Sequence, residues 1–297
     1  MALALPDALG WVLRAEPVGD VPTLLARLRA HAGGAPVALG VDFPIGLPRA
    51  YVARHLGRDC TAPPPPGFPG FLRGLADRPG FLSVCGTLDE VGPARPFYPM
   101  RGVRGMTRLS HAQALGLDSA AGLSRACDVA TPHRPAGAPL FWTLGANQTG
   151  KAAIAAWRDL LLPALAGPQP PALWPFDSAL LPLLTDGRVV VAETYPAEAM
   201  RQLGLRMGGS KRRHADRMAL APALRQSMAK LSATPDPALN RLLAQGFGSD
   251  AAGEDRMDCV LGLLCVLQVL AGRRTDAAPD DPWIQRWEGW VLGQAAA

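Results

Sequence analysis

No Cys-x-x-Cys pair occurs in the chain, and its 5 cysteines are an odd number. That excludes a disulfide framework and a cysteine-based zinc site, and the expected compartment is a reducing cytoplasm. Cys259 and Cys265 lie in an apolar stretch and are expected in the core. Long apolar runs are missing as well. The longest, residues 259–271, is interrupted by Gln268 and falls short of the roughly 20 residues that span a bilayer. No basic stretch precedes the apolar residues at the amino terminus, so neither a secretory signal nor a membrane partner is expected. Charge is sparse at 19% of residues, yet a hydrophobic content of 48% excludes a mostly disordered chain. There is no internal repeat. Lysine is scarce too, supplying 3 of the 30 basic residues, with arginine supplying the rest. Arginine suits bidentate phosphate contacts, although compositional bias in an Ala/Arg/Pro-rich proteome gives the same count. The net charge of +5 permits a nucleic-acid partner without requiring one, and no protein partner is indicated.

What is abundant is glycine, 32 residues, and proline, 30, which implies turn-rich connections. A strand is predicted at 11–15, and a helix at 21–31 from leucines at helical spacing, stopped by Gly33-Gly34. Residues 37–41 read as a buried inner strand ending on Asp42. Gly46 then allows a tight turn, and Pro48 opens a helix to about residue 56. From 59 to 174 the texture becomes Gly/Pro-rich, with helical pieces near 110–117 and 151–165. This segment reads as an insertion or cap on a core formed by about 8–58 and 175–297, all within one α/β domain. The β-branched run at 188–193 predicts a second strand ending on an acid, Glu193. Helices are predicted from Pro196 and at about 211–228, 236–246 and 254–271.

The acids carry the chemistry. Asp42 and Glu193 each follow an apolar strand, and open α/β sheets bind ligands beyond the carboxyl ends of their strands. Asp255 and Asp258 are three apart at the start of the last long helix and so share a face. Such a set of oxygens suits a hard divalent ion, Mg²⁺ or Mn²⁺, able to activate water against a phosphodiester. Blander roles stand beside this one. Asp255 could serve the helix dipole, Asp42 could cap the helix after Pro48, and Glu193 could pair with an arginine of the basic cluster.

Asp42-Phe-Pro-Ile-Gly-Leu-Pro48, Glu193-Thr-Tyr-Pro-Ala-Glu198 and Asp255-Arg-Met-Asp258-Cys, in this order, resemble the domain-of-unknown-function family number 429. Gly145-Ala-Asn-Gln-Thr-Gly-Lys151 and Trp174-Pro-Phe-Asp177 extend the resemblance over most of the chain. That family is described as predicted nucleases of ribonuclease-H-like fold, related to RuvC-type resolvases. The resemblance implies a mixed sheet flanked by helices and a magnesium- or manganese-dependent nuclease. Its catalytic acids would be Asp42, Glu193 and Asp258, with Asp255 as a further metal ligand. It also implies a first-strand aspartate within Gly-x-Asp. Asp7 is the only early candidate, so either that strand is lost or it lies upstream of Met1.

Residues 145–151 also have the spacing of a phosphate-cradling loop, but Ala152 stands where a Ser or Thr would ligate magnesium. The segment reads either as polar contacts to substrate from Asn147, Gln148 and Lys151, or as a helix start capped by Thr149. Lys211 and Arg212 head the densest basic cluster, with Arg213, His214, Arg206 and Arg217. They are candidates for positioning substrate phosphates, against a solvated helix face. Phe97, Tyr98 and Trp142 could stack on bases or pack inside the insertion. Two other classes of function stay open: an ATP-binding phosphotransferase or hydrolase, and a non-catalytic binding protein of the same fold.

Overall fold

A computed structural model describes residues 1–57, 62–102, 104–131, 135–145 and 148–296. The chain is mixed α/β, with two three-stranded sheets flanked by helices in place of one large mixed sheet. Strands β1 (Ala2–Asp7) and β2 (Gly10–Ala15) form an antiparallel hairpin. A strand at 2–7 is absent from the sequence reading because Pro6 argues against one. Proline is tolerated here because β1 is the sheet's edge, where no partner needs its missing N–H. Helix α1 (Leu24–His31) buries Leu24, Leu25 and Leu28, the face set by the leucine spacing. Strand β3 (Val37–Val41) then turns into α2 (Arg49–His55). In the 59–174 segment come α3 (Phe68–Arg73), α4 (Arg108–Ala114), α5 (Thr149–Ala156) and α6 (Leu162–Ala166). A π-helical turn, Trp157–Leu161, joins α5 to α6.

Strand β4 (Ala172–Leu173), α7 (Leu180–Leu183), β5 (Val189–Glu193) and α8 (Pro196–Gln202) follow. The chain continues through α9 (His214–Lys230), β6 (Ala233–Pro235), α10 (Pro237–Ala244) and α11 (Gly253–Leu270). Strand β6 completes the first sheet, in the order β1-β2-β6. The second sheet is wholly parallel, in the order β3-β5-β4.

In this second sheet β5 is the inner strand, buried at all five positions, as a continuous Val-Val-Val-Ala run requires. Strand β3, expected to be inner, is an edge whose first four residues are half-buried. Alternate β5 residues feed two cores. Val189 and Val191 face Phe68, Phe97, Phe141 and Trp157 of the 59–174 segment, whereas Val190 and Ala192 face Leu224, Leu261 and Cys265 from α9 and α11. Cys259, expected in the core beside Cys265, is exposed on the same α11 face as Asp255. Among the described residues no helix is long and apolar enough to cross a membrane.

Candidate functional site

Val41 pairs with Glu193 in the β3–β5 register, so Asp42 and Glu193 leave one edge of the sheet together. A Cβ on Gly40 would stand 2.9 Å from the side chains of Thr194 and Val266. The bare glycine therefore lets α11 lie close against the strand end. That approach brings in half-buried Asp258, with Glu254 and Asp255 in the helix's first turn.

Asp42 reaches solvent at the mouth of a recess but is crowded by protein on its other sides. Its carboxyl is pushed up to about 7, first by burial and next by the charge of Asp258. Glu193 and Asp255 add to the shift, and Lys211 opposes it. Among the described residues none donates a hydrogen bond to it. Helix α2 is not capped by Asp42. Its first N–H, from Arg49, is received by Glu288 at 3.1 Å, and Glu288 also accepts from Ala126 N–H at 3.2 Å. Gly46 makes this approach possible with φ +143, and a Cβ there would collide with the Glu288 carbonyl.

Glu193 is buried and its oxygens are occupied. Arg125 donates to both at 2.6 and 2.7 Å, and the Ile45 N–H adds a third bond at 2.8 Å. Its partner is thus an arginine of the 59–174 segment, and not one from the basic cluster. Arg125 also grips Asp128 at 2.9 and 3.0 Å, in a group that is almost solvent-free. Burial pushes the Glu193 carboxyl up, and Arg125 pulls it back. Behind Asp42 lies a cavity of about 70 Å³ whose lining includes Asp128, Glu193, Tyr195, Thr149 and Val291. It has room for a few waters or one small polar group. The Tyr195 hydroxyl is held protonated by burial and by the charge of Asp42, against Lys211 and Arg201.

The Lys211 ammonium donates to both oxygens of Asp258, at 2.7 and 2.6 Å, and lies 3.9 Å from Glu254. Arg212 is mostly exposed, 3.8 Å from Glu254. The cluster is no solvated face throughout. Arg217 is buried and clamps the carbonyls of Lys211, Gly246 and Gly248 at 2.6, 2.8 and 2.6 Å, which fixes the backbone of Lys211.

Asp42 lies within electrostatic reach of Asp258, Glu193, Asp255 and Lys211, with Asp255 exposed one turn before Asp258, but among the described residues no three of the acids are grouped closely enough to hold a metal ion. Asn147 lies outside the described residues. Gln148 and Lys151 are exposed, and their neighbourhood gives the recess Thr149 and Ala152 instead. Gly150 serves packing, since a Cβ there would meet the Leu140 carbonyl at 2.6 Å. Thr149 is the first residue of α5 and not its cap. Phe97, Tyr98 and Trp142 are buried and so cannot stack on bases. Asp7 closes the β1–β2 hairpin, about 20 Å along the strand from Met1, whose amino group acts on Cys259 beside Asp258. The early acid is therefore carried away from the site.

Sequence reasoning missed Arg125, Asp128, Tyr195 and Glu288. Arg-x-x-Asp at 125–128, three apart, was the one local signal for the first two. Compared with protein-family models, with curated proteins and with solved structures, the chain matches none.

Proposed function

We propose that this chain hydrolyses phosphodiester bonds of nucleic acid with a divalent cation, on a ribonuclease-H-like core. One arrangement carries the reading: Asp42 and Glu193 leave the carboxyl ends of adjacent parallel strands, and the charges of Glu193 and of Asp258 from α11 both act on Asp42. The resemblance to family 429 puts weight on the same three acids, and the parallel β3–β5 pair closed by α11 supports the core. Electrostatics supports the cation. Asp42, Asp128, Glu193, Glu254, Asp255 and Asp258 outnumber Arg125, Lys211 and Arg212, so a bare phosphate would be repelled.

The donor set fits a hard cation in part. Asp42 would hold it, joined by Asp258 once Lys211 leaves its oxygens, whereas the Glu193 oxygens are committed to Arg125. When bound, Mg²⁺ or Mn²⁺ would supply charge to the phosphoryl oxygens and lower the pKa of a water. The chain's residues do the rest. Arg125 holds Glu193 rigid, so the strand end keeps its shape. The Tyr195 hydroxyl, kept protonated, donates to an anionic oxygen. The small recess admits the reacting group and leaves the bulk of the substrate outside.

The test is incubation with Mg²⁺ or Mn²⁺ and labelled single- and double-stranded DNA and RNA. Cleavage by the wild type that falls about a hundredfold or more in Asp42→Asn and Asp258→Asn is the expected result. Cleavage unchanged in Asp42→Asn would sink the assignment. A non-catalytic binding protein is the second reading, favoured by the position of Asp7 away from the acids. It predicts binding without cleavage in the same assay.

A further inference from the structure

We infer that Lys211 is the resident cation of this site and that it governs entry of a divalent ion by competing for the Asp258 carboxylate. The inference rests on the cation-dependent reading above and deepens it. Three observations carry it. The ammonium occupies both oxygens of Asp258 at 2.7 and 2.6 Å, with Glu254 at 3.9 Å, and its charge reaches Asp42 and Tyr195. It thus stands where a positive ion held by Asp258 and Glu254 would stand, within electrostatic reach of Asp42. Second, the side chain at this place is a lysine, in a chain that uses only 3 lysines among 30 basic residues. Lysine is a compact point charge on a flexible stem and can withdraw, whereas the forked guanidinium of arginine would lock the carboxylate bidentately.

Third, the backbone beneath it is fixed. Arg217, almost wholly buried, clamps the Lys211 carbonyl at 2.6 Å. Any exchange is therefore confined to the side chain, which is a quarter exposed and has solvent to swing into. With Lys211 in place, Asp258 is neutralised and both its oxygens are taken, which disfavours a second cation there. With Lys211 withdrawn, Asp258 and Glu254 are left unshielded, the charge of Asp42 adds to theirs, and together they attract one.

The experiment measures Mn²⁺ binding by calorimetry and by the electron paramagnetic resonance signal of the free ion, without substrate. Lys211→Met should bind Mn²⁺ about tenfold tighter than the wild type, and Lys211→Arg no tighter than the wild type. Arg212→Met removes an equal charge next door and should change affinity little. Adding Asp258→Asn to Lys211→Met should erase the gain. Equal affinity in wild type and Lys211→Met, with binding lost in Asp42→Asn, overturns the role of Lys211 and leaves the cation reading standing. An equal gain in Arg212→Met reduces the effect to overall charge and overturns the role as well. No Mn²⁺ binding by any variant overturns both.

Discussion

Arg125 is nearly devoid of solvent contact, yet it satisfies two carboxylates at once, Glu193 and Asp128. Burial opposes its charge, and the two acids outweigh that and keep it ionised. Replacing it with methionine would leave both carboxylates buried without their counter-ion. Breaking a buried pair from one side costs about 3–5 kcal/mol. Urea unfolding of Arg125→Met should lose stability on that scale, and Glu193→Gln should lose less because its amide oxygen still accepts. Equal, small losses would mean that water reaches the group. Neither long-range pairing at this site was legible from neighbours in sequence. Arg125 lies 68 positions from Glu193, and Lys211 lies 47 from Asp258. Strand-end acids announce themselves by the apolar run before them, whereas their counter-ions sit in segments with no periodicity to place them.

Elements were legible in proportion to their patterning. The leucine spacing of α1, the valine run of β5, the short α10 and the long helices α9 and α11 all follow from residue order. Strand β1 was hidden by Pro6, and β4, two residues long, is too short for any period to show. The status of β3 as an edge strand was equally hidden, since burial depends on what covers a strand and not on its own residues. Helix α10 illustrates a local rule at work. Asp236 accepts from the Leu239 N–H at 2.7 Å, and Pro237 sits at the first helical position. Asp236→Ala should cost about 1 kcal/mol in chemical unfolding, and Asp236→Asn or Asp236→Ser should restore most of it. No difference between Ala and Ser would show that the fold, and not the cap, sets this helix's start.

Across the whole molecule, two titrating groups act in overlapping pH windows with opposite sign. Asp42 holds its proton more tightly folded than unfolded. Its stabilising contribution is therefore full below the usual carboxylate value, near 3.8, and is lost as pH rises through about 7. His111 is the reverse. Buried with Nε2 donating to the Pro96 carbonyl at 2.8 Å, it is lowered to about 4, mainly by burial. Its contribution is full above the ordinary histidine value, near 6.5, and is lost as pH falls through about 4. Asp42→Asn should therefore gain thermal stability over the wild type progressively toward neutral pH, with the difference levelling off above about pH 7. Melting curves from about pH 4 to about pH 8.5 check this, and a pH-independent difference would refute it.

The segment that follows α11 closes the strand-end side of the site. Glu288 receives the first N–H of α2 and that of Ala126, the Leu292 N–H bonds the Glu193 carbonyl at 2.8 Å, and Val291 lines the recess. These residues leave the ribosome after all the others that build the site. While the chain is being made, Asp42, Arg125 and Glu193 can come together, but the start of α2 and the floor of the recess stay open until residues 284–292 arrive. Closure of the site therefore waits for residues 284–292, and a nascent chain halted short of residue 288 would carry the strand-end acids without this enclosure.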